Sequence, residues 1–275
     1  MKRAATLSAL ACLLAVTAAA PAASEAPAAP KGALSGSGKK ASALDTVPRR
    51  GVLRVCTTGD YRPFTHLDPT TGRYRGVDID MARDLAKSLD ATPRYVATTW
   101  DRLVADLSAG RCDIAMGGVS ITLPRARSVS FSEPTRTDGK TPIARCAEQD
   151  KYQTLEQIDR PGTTVIVNPG GTNEEFARAH IKRATLKVHP DNTTIFDEII
   201  AGRADVMMTD AGETRYQAKI HPELCSIHPD KPFTFSEKAY ALPRGDTEFT
   251  AYVNQWVHLA THDGTYHRYE EEWMK

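Results

Sequence analysis

One design is written twice in this chain. "WDRLVADLSAGRCDIAMGG" (Trp100–Gly118) and "IFDEIIAGRADVMMTD" (Ile195–Asp210) each run an amphipathic helix into Ala-Gly-Arg, one further residue, Asp, and an apolar strand carrying Met. The copies begin their Ala-Gly-Arg at Ala109 and Ala201, and a solenoid would repeat at a shorter distance. The echo therefore predicts two domains built on similar units. Around the first copy lie strand-like "VLRVCTT", a hairpin in "HLDPTTGRYRGVDID" turning at Thr70–Gly72, helical "MARDLAKSL" and strand-like "PRYVATT". Around the second lie "TTVIVN", "NEEFARAHI" and "TLKVHP". Strands alternating with helices of this length make mostly parallel sheets flanked by helices, so the fold class is α/β with two lobes.

The N-terminus reads differently. Lys2 and Arg3 precede an apolar run, Ala4–Ala20, which passes into small residues and prolines. That is the layout of a secretory signal peptide, here 1–23, with cleavage between Ala20 and Ser24. Cys12 lies inside the apolar run and is placed too early for a lipid-anchored cysteine. No later segment offers the ~18 apolar residues of a membrane span, so the processed chain is expected to have no stable membrane insertion. Residues 24–46, rich in Ala, Pro, Gly, Ser and Lys, read as a flexible linker. Export to the periplasm or beyond follows, and with it an oxidising environment. Cys56 and Cys112 sit in or beside apolar runs and read as buried free thiols, whereas Cys146 and Cys225 make the better disulfide pair. The eight histidines are scattered without a ligand spacing, so no metal is expected. A net charge of +1 without a basic run argues against nucleic acid as a partner.

In open α/β sheets, ligands bind beyond the carboxyl ends of the strands, and a cleft between two such edges is the expected pocket. The ends here are Thr57–Tyr61, Thr98–Trp100, Gly117–Ser120, Asn168–Thr172 and Thr209–Glu213, all polar, small or aromatic. Ser120, Thr122 and Arg125 follow one of them, and the planar fork of an arginine grips a carboxylate with paired hydrogen bonds. Arg127 and Arg136 lie nearby without such partners. Thr172 follows a Gly-Gly turn as the expected cap of a helix whose N-terminus attracts anions. Glu174 and Glu175 suit the helix dipole and read as structural. Trp100 and Tyr61 each read as core aromatic or as pocket wall. Lys140, near the first crossing between lobes, either meets an anionic ligand or faces water.

The segments "TTGDYRPF", "GVDIDMARDLA", "SITLPRARSVSFSEP" and "GGTNEEFA" resemble the periplasmic amino-acid-binding proteins of ABC transporters, from about Gly51 to the C-terminus. A closer set, "DGKTPIARC", "VHPDNTTIF", "ADVMMTDAGETR", "HPELCSIHP" and "FSEKAYALPR", resembles exported cyclohexadienyl dehydratases, enzymes on the binding-protein fold that convert prephenate to phenylpyruvate and arogenate to phenylalanine. The resemblance implies a two-lobed periplasmic-binding-protein-like fold, with lobe 1 at 47–138 completed by 241–275 and lobe 2 at 139–240. It implies that Arg125 binds the amino-acid carboxylate, supported by Ser120 and Thr172, and that Asp210 pairs with the ligand's amino side. Trp100 and Tyr61 become pocket walls, with Asp60 and Lys140 as further substrate-binding groups. Asn168 and Glu213 fall where the dehydratases place catalytic polar groups. Cys146 and Cys225 also fall at positions where the dehydratases have cysteines. Two positions depart from the pattern: Cys56 stands where a smaller residue is expected, and Gly212 where a bulkier apolar one is.

The reaction needs no cofactor. It needs two carboxylates held, a departing hydroxyl protonated and water kept out. A general acid at neutral pH is best a carboxyl raised towards ~6–7 by burial or a neighbouring anion. Asp210 and Glu213, three apart at a helix start, supply such neighbours: Asp210 holds the substrate and Glu213 donates the proton, with Asn168 orienting the reacting groups. By position alone Glu213 reads first as an exposed first-turn residue, and the resemblance reverses that reading. The rival function is a solute-binding protein delivering a polar or aromatic amino acid to a permease, and a catalytically dead sensor or scavenger is the third.

Overall fold

Residues 41–274 of the chain are described from a computed structural model; the expected signal peptide and nearly all of the expected linker lie outside them. The linker expected to reach residue 46 stops sooner, because helix Ala43–Arg50 already begins there. Ser42 caps it by accepting from the Leu44 N–H at 3.1 Å, and Asp246 accepts from the Ser42 hydroxyl at 2.6 Å and the Ala43 N–H at 2.7 Å. Val47 is buried in the core. A composition rich in small polar residues hid an anchor that only a residue two hundred positions away reveals.

Two five-stranded sheets carry the architecture. In the first, the order is Thr92–Ala97, Val52–Thr57, Ile114–Ala115, Ala241–Pro243, Val129–Phe131, with Val52–Thr57 parallel to both neighbours and Ala241–Pro243 antiparallel to its own. In the second, the order is Thr185–Val188, Thr164–Val167, Val206–Asp210, Lys140–Arg145, Leu224–Ser226, the first three parallel and the last two joined antiparallel. The strands Ile114–Ala115 and Val206–Asp210, the two copies of the repeated sequence design, thus each lie third in their sheets. Two short strands, Arg136–Asp138 and Ser236–Lys238, pair antiparallel and carry the chain between the sheets. A three-stranded hairpin sheet, Asp60–Tyr61, Thr65–Leu67 and Tyr74–Arg75, includes the expected turn.

The C-terminal helices pack on the first sheet. Phe249, Val253 and Val257 recur at helical spacing on Thr247–His262 and are buried against Leu53, Val55 and Leu85. Each contributes about 1.5–3 kcal/mol by leaving water. Buried Asp78, on helix Val77–Ser88, accepts from the N–H groups of Gly117 and Gly118 at 3.0 and 2.6 Å and from the Tyr240 hydroxyl at 3.2 Å. It thereby fixes the loop leading to Ser120.

Both cysteine pairs are disulfides. Cys146–Cys225 joins adjacent strand ends, as expected, with Cα atoms 4.8 Å apart. Cys56 and Cys112 are not free thiols but a second bridge, with Cα atoms 5.6 Å apart. The reason is the sheet register: Cys56 lies opposite Ala115, so the residues just before that strand return beside it. The bridge spans 56 residues of sequence, and the paired substitution Cys56→Ser with Cys112→Ser is expected to lower unfolding stability by about 2–4 kcal/mol. Denaturant titration of both forms under non-reducing conditions measures it; an unchanged midpoint overturns it.

Candidate active site

The strand ends named from the sequence meet around one cavity. It is lined by Tyr61, Trp100, Ser120 and Lys238 on one side and by Asn168, Asn173 and Asp210 on the other, with Gly118, Gly171 and Thr172 filling the gaps. The space among them admits the centre of about one water molecule, about 10 Å³. The lobes touch here: the Tyr61 hydroxyl donates to Asp210 Oδ2 at 2.5 Å, and Asn192 Nδ2 donates to the Asp60 carbonyl at 2.8 Å. Any ligand larger than a water molecule requires the cleft to part.

Asp210 ends its strand, caps helix Ala211–Ile220 and is buried. Its Oδ1 accepts from Lys140 Nζ at 2.9 Å, and its Oδ2 accepts from Lys238 Nζ at 2.6 Å. Burial opposes ionisation, but the two ammonium groups outweigh it and hold this carboxyl well below the ordinary carboxylate range. The carboxylate expected to meet a ligand's amino group thus already has two lysines as partners. The carboxylate is already neutralised from within the protein.

Lys140 and Lys238 are 5% and 2% exposed, so neither faces water. Lys140 opens the strand opposite Asp210 in register, and its Nζ also donates to Thr172 Oγ1 at 3.0 Å and to Asn173 Oδ1. Burial lowers its pKa, Asp210 raises it and Lys238 lowers it again. Lys238, which sequence reasoning missed, comes from the crossing strand and donates to Ser120 Oγ at 2.7 Å. Its one signal is a lysine entering the apolar run of "KAYAL".

Glu213 is 1% exposed, which rules out the exposed first-turn alternative. Its Oε2 accepts from the Thr209 hydroxyl at 2.6 Å, while its buried Oε1 has no hydrogen-bond partner. Burial pushes the carboxyl up to about 8 against the pull of the Thr209 hydrogen bond, with the Asp210 and Asp60 charges adding and the Lys140 charge opposing. Glu213 is not among the residues lining the closed cavity; it sits behind Asn173 and Asp210, to which Thr209 connects it. Gly212 explains its own departure from the expected bulk. Its N–H donates to Asp138 Oδ1 at 3.1 Å, and a Cβ there would lie 3.0 Å from Asp138 Oδ2 and 3.3 Å from Arg136 Cζ. Glycine lets the helix start dock against the crossing strand. Arg136 is therefore no unpartnered control: it pairs with Glu270, lies 3.6 Å from Asp138 and sits over the Phe64 ring.

The remaining candidates divide. Ser120, Trp100, Tyr61, Thr172 and Asn168 reach the cavity. Tyr61 and Trp100 meet edge to face at 5.5 Å, and Trp100 Nε1 donates to Asp60 Oδ1 at 3.2 Å. Burial raises the Asp60 carboxyl, while the hydrogen bond from Trp100 lowers it. Thr172 is not the helix cap; Gly171 is, and the Thr172 hydroxyl serves Lys140 instead. Arg125 lies in short helix Leu123–Ala126, capped by Thr122, and donates from Nη1 to the Ser120 carbonyl at 3.0 Å without lining the closed cavity. Asn173 and Thr209, missed from the sequence, link Asn168 to Glu213: Asn173 Nδ2 donates to Asn168 Oδ1 at 3.0 Å and to Thr209 Oγ1 at 2.9 Å. Among the described residues no group of acidic, histidine or cysteine side chains is arranged to hold a metal, and no helix is long and apolar enough to cross a membrane.

Over residues 53–275 the sequence matches the bacterial extracellular solute-binding proteins, family 3. It is 54% identical over 234 residues to a Pseudomonas aeruginosa protein named cyclohexadienyl dehydratase, covering 85% of this chain and 87% of that one. The crystal structure of an ancestral amino acid-binding protein, described as a precursor of cyclohexadienyl dehydratase, is similar with a TM-score of 0.77 and 37% identity, over 84% of this chain and 99% of that one. That of an ancestral cyclohexadienyl dehydratase is similar with a TM-score of 0.54 and 52% identity, over 86% of this chain and 97% of that one.

Proposed function

The chain belongs to family 3 of the bacterial extracellular solute-binding proteins, and from that footing we propose that it is an exported cyclohexadienyl dehydratase, acting on prephenate and arogenate. The observation that carries the reading is Glu213, a carboxyl shut away from water with one oxygen unpartnered and its proton retained to a pH of about 8. An unpaired buried carboxyl oxygen is unfavourable, typically by about 1–3 kcal/mol. A carrier gains nothing from that; an enzyme that must protonate a leaving group gains its acid.

The chemistry balances with what the chain holds. The bond from the ring to its carboxylate breaks, and its electron pair moves into the ring. The bond from the ring to the hydroxyl oxygen breaks, and that oxygen takes the proton from Glu213. Carbon dioxide and water depart, an aromatic ring remains, and Glu213 is left as a carboxylate to be reprotonated from solvent once the lobes part. Lys140, Lys238 and Arg125 provide positive charge for the two carboxylates of prephenate, Asn168 keeps its amide N–H groups for the reacting end because its oxygen already accepts from Asn173, and Tyr61 and Trp100 flank the ring. Closure shields the acid from bulk water.

Phenylpyruvate accumulating from prephenate in the presence of the purified, processed protein is the expected result. Tight binding of an ordinary amino acid with no turnover of prephenate or arogenate would return the protein to the transport reading.

A further inference from the structure

We propose that Asn173 and Thr209 are positioning residues that place the acidic hydrogen of Glu213 on Oε1, the oxygen left free for the departing hydroxyl. The inference rests on the reading of Glu213 as the proton donor and deepens it.

The argument is one of hydrogen direction. An ammonium group only donates. The Asn173 atom meeting Lys140 Nζ is therefore its amide oxygen, which leaves both Nδ2 hydrogens for its other neighbours. One goes to Asn168 Oδ1 and the other to Thr209 Oγ1. Thr209, fully buried and already receiving a hydrogen, has Glu213 Oε2 at 2.6 Å as the acceptor for its own. A carboxylic acid accepts at its carbonyl oxygen, so Oε2 is the carbonyl oxygen and Oε1 carries the hydrogen. Lys140, Asn173, Thr209 and Glu213 thus form one directed chain, in which the fixed ammonium sets the sense of every later bond. The same Lys140 is one of the two cations that hold Asp210, so it acts on both acids. The charged or titratable groups acting on Glu213 are Asp210, Asp60, Lys140 and Tyr61, and none of them is altered by changing Thr209.

Thr209→Val keeps the branched shape but removes the donor. Its kcat is expected to fall about 10- to 100-fold with KM within about threefold. The alkaline limb of its kcat profile should move to higher pH, because a hydrogen bond that favoured the ionised acid is gone. Thr209→Ser should restore both rate and limb. Thr209→Ala, a second variant without a donor, carries the same expectation where valine does not give folded protein. A non-donating variant with the wild-type rate and limb overturns the inference, as does a slow variant whose limb stays in place and which serine does not rescue. Glu213→Gln separates the two levels. If that variant keeps its rate, the acid itself is misassigned; if it is inactive while Thr209→Val is fast, only the placement of the hydrogen is wrong.

Discussion

Glu213→Gln is expected to lower turnover of prephenate by about 10²–10⁴, the range set by a positioned proton transfer, while substrate affinity stays within a few fold. Glutamine keeps the length and volume of the side chain, and its amide oxygen can still accept from Thr209. What it lacks is a proton it can surrender. The wild-type pH dependence follows with a definite sign. The acid works only when protonated, and burial raises its pKa to about 8. Turnover should therefore be insensitive to this group well below pH 8 and should fall as pH rises through it. The Glu213→Gln variant should lose that limb together with its rate. Steady-state kinetics between about pH 6 and 10, with binding followed separately by titration of the inactive variant, tests both parts. Full activity in the glutamine variant, or a wild-type rate that climbs through pH 8, removes Glu213 from the chemistry.

How far such a site can be read from sequence depends on whether its parts are local. Asp210 and Glu213 were legible because a strand running directly into a helix places both acids in one turn. Ser120, Asn168 and Thr172 were legible for the same reason, as strand ends of a repeated α/β design. Lys238 was not, since its role arises from pairing Ser236–Lys238 with Arg136–Asp138, a hundred positions away. Asn173 looks like any polar residue in the first turn of a helix, and Thr209 like a strand residue; only the Lys140 ammonium gives them direction. The second disulfide was hidden by register, because Cys56 and Cys112 become neighbours only once their two strands align. The site of a two-lobed protein is assembled from both halves of the chain, so its electrostatic balance is a tertiary property. A sequence shows which charges exist and not which cancel.

That balance predicts substrate choice. Prephenate carries two carboxylates and a keto group, whereas arogenate replaces the keto group by an ammonium. Asp210, the group expected to welcome that ammonium, is already held by Lys140 and Lys238, so the closed site offers surplus positive charge and suits the doubly negative substrate better. Lys238→Met removes one cation while keeping an unbranched side chain. Its kcat/KM for prephenate is expected to fall about 10- to 100-fold, the value of a hydrogen bond to a charged group, and that for arogenate by clearly less. Stability should also suffer, by about 3–5 kcal/mol, because a buried carboxylate loses one of its partners. Adding Asp210→Asn to Lys238→Met removes the stranded charge, so it should recover much of that stability and, by restoring the surplus positive charge of Lys140, much of the preference for prephenate. Competition between the two substrates, followed as phenylpyruvate against phenylalanine, reads the ratio directly. An equal loss for both substrates would make Lys238 a support for Asp210 alone, and a greater loss for arogenate would reverse the charge argument.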